Sequence, residues 1–169
     1  MPDKALNVYL NDHLGGATLG SDLAEQIREQ SEGSPLGDQM AGLAREIEAD
    51  RQTLAELMEQ LGTPRNPVKQ AIGWLAEKVG RAKFAGATSG EPDYGLFMAL
   101  ETLMLGVEGK LSLWKALKEI ADEHAPLAAT DLKGLIARAE SQRDALERER
   151  IAAGRRAFGQ AGASSVGGP

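Results

Sequence analysis

Apolar residues recur along this chain at helical spacing in five stretches, each closed by a turn signal. Leu6, Leu10, His13, Leu14, Ala17, Ala24 and Ile27 predict a first helix over about 4–30. Ser31-Glu-Gly33-Ser34-Pro35 reads as a turn with Ser34 as N-cap and Pro35 at the first helical position. A second helix follows over about 35–61, with the stripe Leu36, Met40, Leu43, Ile47, Asp50, Leu54, Leu57 and Leu61. One charge, Asp50, interrupts that repeat. Gly62, Pro64 and Pro67 stop it. A shorter, basic third helix is expected over about 67–84, with Val68, Ile72, Leu75 and Val79 on its apolar face and Trp74 beside them. The fourth, about 93–123, carries Leu96, Leu100, Leu103, Val107, Leu111, Trp114 and Leu117 inside. His124 is expected to cap its negative end. The fifth, about 130–158, starts at Thr130 and runs through Leu132, Leu135, Ala139, Gln142, Leu146 and Ala153. Residues 1–158 therefore form one all-α domain, and the Gly/Ala/Ser-rich tail 159–169 is expected to be disordered.

Connection lengths set the packing. A tight turn makes the first two helices antiparallel, which brings His13 level with Asp50. The long segment before the fourth helix is enough to traverse the molecule, leaving the second and fourth helices parallel and Asp50 level with Glu108. The turn near Pro126 places Glu108 close to Leu146, one turn from Gln142 and Arg143. The expectation is an apolar interior with one polar layer at mid-height, made of His13, Asp50, Glu108 and Arg143. Glu101 lies about two turns from Glu108 on the same helix side. Burying such groups is costly unless they answer one another. His13 is expected to pair with Asp50, and Arg143 with Glu108.

The first helix also carries Gly16, Gly20 and Ala24 at i, i+4 spacing. Such a face serves either close helix approach or a ligand lying against the backbone.

Composition narrows the class. Hydrophobic residues make up 42% and aromatics 4%, so the core is aliphatic, as in helical bundles. There is no Cys, which excludes disulfides, thiolate zinc sites and Cys nucleophiles. Met1-Pro-Asp-Lys leads into the amphipathic pattern without an apolar leader, and a cytoplasmic location is expected. The net charge of −6 is unevenly spread: residues 1–63 carry −8 and residues 64–90 carry +4. That acidity argues against nucleic acid as a partner. The basic helix with Trp74 is expected to pack against acidic neighbours and not to lie on a membrane; a protein partner or a second copy fits better.

Four segments, Tyr9-Leu-Asn-Asp-His13-Leu-Gly-Gly-Ala17-Thr, Arg45-Glu-Ile-Glu-Ala-Asp50, Trp74-Leu-Ala-Glu-Lys-Val-Gly80 and Leu105-Gly-Val-Glu-Gly-Lys110, resemble stretches of bacterial ferritin-like helical-bundle families that are uncharacterised. The resemblance covers about residues 5–155. It implies a ferritin-like antiparallel four-helix bundle with an extra crossover helix, and a mid-bundle layer where that superfamily holds metal. The di-iron members carry Glu-x-x-His on two helices. Here His13 follows Leu10 and His124 follows Ala121, and Glu140-Ser-Gln-Arg143 ends in a residue that cannot bind metal. Ferroxidase, storage and oxygen-activating roles are not carried over.

Three functions follow. The leading expectation is a non-catalytic bundle, structural or partner-binding, with no cofactor. The alternative is a stress or redox protein binding iron, manganese or zinc through His13, Asp50, Glu101 and Glu108. The third is an enzyme using His13 as general base oriented by Asp50. No Gly-rich phosphate loop or nucleophile elbow supports a known catalytic scheme.

Overall fold

Among the described residues, four long helices pair by short or folded-back connections, so each apolar stripe finds a neighbour. The structure is a computed structural model that describes residues 4–65 and 91–159, with Glu77 and Gly80 between them. The elements are α1 (Lys4–Gln30), α2 (Pro35–Gln60), α3 (Pro92–Glu119), a 3-10 turn (Ala121–Glu123), α4 (Ala125–Ala128) and α5 (Leu132–Phe158). The chain is all-α, and no strand occurs among the described residues. The expected basic helix over 67–84, including Trp74, lies outside the described residues apart from Glu77 and Gly80, both helical. The tail from residue 160 also lies outside them.

Local chemistry explains the boundaries. Gly33 turns the chain after α1 at φ 77, a left-handed value that favours glycine. The Ser34 hydroxyl then accepts from Gly37 N–H at 3.2 Å, and Pro35 opens α2. At the other end Gly62, at φ 68, lets Thr63 N–H reach Met58 C=O at 2.9 Å, closing α2. The later boundaries differ from expectation. The fourth predicted helix stops at Glu119, and a 3-10 turn and the one-turn α4 fill the corner. His124 is extended there, at the start of α4; its N–H donates to Ala121 C=O and caps the 3-10 turn, while Ile120 caps α3. Asp131, not Thr130, caps α5: its Oδ1 accepts from Gly134 N–H at 2.9 Å, while Thr130 Oγ1 donates to Pro126 C=O.

The core falls into two apolar clusters. The first joins the C-terminal half of α1 (Leu23, Ile27) to the N-terminal half of α2 (Met40, Ile47), the N-terminal half of α3 (Leu103, Val107) and the far half of α5 (Leu146, Ala153). The second joins Leu10 of α1 to Leu54 and Met58 of α2, Leu111 and Trp114 of α3, and Leu132, Leu135 and Ala139 of α5. This pairing of halves makes α1 antiparallel to α2 and to α3, α3 antiparallel to α5, and α2 parallel to α3. The α1–α2 and α3–α5 contacts are extensive, and α2 meets α5 only over a short stretch.

A polar clasp joins α1 to α2 at their surface. Ser21 Oγ donates to Glu48 Oε2 at 2.7 Å, and Arg51 grips the same carboxylate at 2.6 Å. Arg51 first, then the Ser21 and Gln52 hydrogen bonds, hold the Glu48 carboxyl down to about 2 against burial. A carboxyl whose folded value lies below its unfolded one stabilises the fold above the unfolded value and loses that stabilisation as pH falls toward the folded value. The expected outcome is a loss of stability between pH 4.5 and about 2 that Glu48→Gln lacks. The Glu48 side chain is more than a third exposed, so the difference is less than about 1 kcal/mol after solvent screening. Urea denaturation of both proteins across that range checks it, and parallel pH profiles would contradict the clasp.

Candidate functional site

Asp50 is 1% exposed and sits between the two apolar clusters, one turn after Ile47 and one turn before Leu54. A carboxylate there needs donors from other helices. Its Oδ2 accepts from Lys110 Nζ of α3 at 2.6 Å and from Gln142 Nε2 of α5 at 3.3 Å. Its Oδ1 accepts from Arg138 Nη2 of α5. Gln142, also 1% exposed, uses both ends of its amide. Its Oε1 accepts from Lys110 Nζ at 2.5 Å, and its Nε2 donates to Glu46 Oε2 at 3.0 Å. The result is a network tying α2, α3 and α5 at one level. Burial pulls the Lys110 ammonium below the usual lysine range, and the Asp50 carboxylate partly restores it.

The expected layer is assembled differently. Asp50 is inside, but its partners are Lys110, Arg138 and Gln142, and His13 is not among them. Glu108 is exposed, because it lies two residues before Lys110, roughly 200° around the helix. Arg143 meets it only at the surface, at 3.6 Å, and also bonds Asp144 at 2.9 Å. Glu101 bonds Arg150 across to α5 at 3.1 Å. The ligand set His13, Asp50, Glu101 and Glu108 is therefore not brought together. No cluster of three or more His, Asp or Glu suited to a metal ion occurs among the described residues.

Lys110 and Arg138 are the functional residues that sequence reasoning missed. The signal existed: Lys110 stands three after Val107 and four before Trp114, within the stripe. Arg138 stands three after Leu135 and four before Gln142. Long basic side chains at such positions read as solvated because their stems can snorkel.

Beside the network lies a cavity of about 230 Å³, bounded by α1, α2 and α3. Asp50 and Lys110 form its polar wall, with His13 across from them on α1. Ile47, Leu54, Leu103, Val107 and Leu113 make it largely apolar, and the exposed Asp12 and half-buried Arg51 also line it. Gly16 and Gly20 of α1 and Gly106 and Gly109 of α3 also line it. A Cβ added at Gly20, Gly106 or Gly109 would meet nothing within 4 Å. These glycines hold space open, and the close-approach reading of Gly20 is corrected accordingly. Burial lowers the His13 value below the ordinary histidine one, with nearby Asp12 opposing, so the imidazole is neutral at neutral pH. Its ring stacks edge-on against Tyr9 at 4.5 Å. Trp114 lines the cavity while fully buried, and its Nε1–H has no acceptor among the described residues.

Two substitutions separate the cost of an orphaned charge from the worth of the pair. Asp50→Ala leaves Lys110 buried without its carboxylate and is expected to destabilise by about 3–5 kcal/mol. Asp50→Leu combined with Lys110→Met removes both buried charges, leaves Gln142 bonded to Glu46, and is expected to recover most of that loss. Arg138 is half-exposed and can turn to solvent. Urea unfolding of the three proteins measures both steps; a single-mutant loss below about 1 kcal/mol contradicts a buried ion pair.

No family model, curated protein or solved structure matches this chain. What the site does rests on its own geometry.

Proposed function

We propose that the chain is a non-catalytic helical bundle of ferritin-like plan that binds a small molecule in the α1/α2/α3 cavity. The observation that carries this reading is the cavity itself, an apolar space at mid-height kept clear by helical glycines that touch nothing. An interior glycine costs a helix roughly 1 kcal/mol against alanine, a cost that close packing does not offset here.

The ferritin-like plan is supported by two antiparallel pairs, α1–α2 and α3–α5, with α2 parallel to α3. In that plan the mid-bundle layer is where carboxylates gather around metal. Here the chain supplies its own cations, Lys110 and Arg138, to Asp50. Those contacts also argue against general-base chemistry: both Asp50 oxygens already accept from donors, and His13 has no carboxylate to orient it.

A neutral apolar probe tests the reading. Saturating 1-octanol is expected to raise the melting temperature by roughly 3 °C or more, through mass action on the folded state. Gly106→Leu, which fills open space, is expected to abolish that rise while keeping the helical circular-dichroism signal. An equal rise in both proteins would place octanol elsewhere and defeat the proposal.

A further inference from the structure

We infer that the cavity recognises a small amphipathic carboxylate, its head group set against Lys110 and Trp114 and its apolar body among the aliphatic side chains of α2 and α3. The inference rests on the small-molecule reading above and names the ligand's chemical class.

Three observations point the same way. The first is volume. A dry apolar cavity of about 150 Å³ accepts benzene. The 230 Å³ here suits one substituted ring or a chain of about eight carbons. The second is hydrogen-bond capacity. Two of the Lys110 ammonium protons go to Asp50 and Gln142, leaving a third. Trp114 lines the cavity, and its buried Nε1–H has no acceptor among the described residues. The Asp50 oxygens, by contrast, already take three bonds. The wall therefore has donors to spare and needs acceptors. The third is charge. Asp50 is the one carboxylate buried in the layer, and it faces two cations, Lys110 and Arg138. Glu46 touches the layer only through Gln142 and is itself exposed. Of the two cations, Lys110 lines the cavity, with its side chain 12% exposed, and an entering carboxylate is worth most beside an ammonium so far desolvated.

A head-group series at constant chain length tests this by isothermal titration calorimetry. Octanoate is expected to bind the intact protein about tenfold or more tightly than 1-octanol or octylamine, the usual gain for a charge-assisted hydrogen bond. Lys110→Met is expected to reduce octanoate to the affinity of octanol. Should that variant fail to fold, Trp114→Phe keeps the ring and removes only the N–H; it is expected to weaken octanoate several-fold and octanol less. Gly106→Leu is expected to lose all three probes. Octanol or octylamine binding as well as octanoate would overturn the carboxylate inference and leave the small-molecule reading standing. Binding of none of them would overturn both and leave the cavity to another part of this chain or to a second copy.

Discussion

A buried carboxylate cannot be left alone, and Asp50 organises this fold for that reason. Placed between two apolar clusters, it must draw donors from whatever helices face it. Lys110 and Arg138 answer from α3 and α5, and the amide of Gln142 fills the gap between them. Aliphatic stripes alone are tolerant of sliding, since one leucine replaces another a turn away. An ion pair with three hydrogen bonds is not. The network therefore fixes the height of α3 and α5 against α2, and it ties α2 to α5, which touch only briefly.

Much of this was legible in the chain. Stripe, cap and breaker residues marked α1, α2 and α5 to within a residue or two, because Ser34, Pro35 and Gly62 act locally. The corner after α3 was not, because a 3-10 turn and a single helical turn look in sequence like a continued helix. Asp50 was visible because a lone charge in an apolar repeat contradicts its surroundings. The level of its partners also followed from turn lengths, which depend only on the rise per residue. Their identity did not. Choosing Glu108 over Lys110 needs the helix rotation to within 100°, and a two-residue offset reverses the facing side. Arg143 failed similarly: it sits one residue past the inward position of Gln142.

The cavity was less legible still, since it consists of what is missing. Small residues on a helix face are consistent with close packing or with open space, and sequence does not distinguish them. The distance from a virtual Cβ to its neighbours does, and for Gly20, Gly106 and Gly109 it favours space. The indole of Trp114, without an acceptor among the described residues, is likewise invisible in a sequence where the residue simply completes an apolar stripe.

The division of labour among the helices bears on what the molecule can do. The ionic network belongs to α2, α3 and α5, while α1 contributes His13 and glycines to the cavity and no charged partner to Asp50. Its polar ties lie elsewhere, at Ser21–Glu48 on α2 and beyond the end of α2, where Asn11 donates to Pro64 C=O. A displacement of α1 that widens the cavity therefore leaves every bond to Asp50 in place. α1 nevertheless belongs to the core, with Leu10, Leu23 and Ile27 buried in the two clusters and extensive contacts to α2. In such an arrangement the polar wall is held independently of α1, so it is preorganised before anything enters the space beside it.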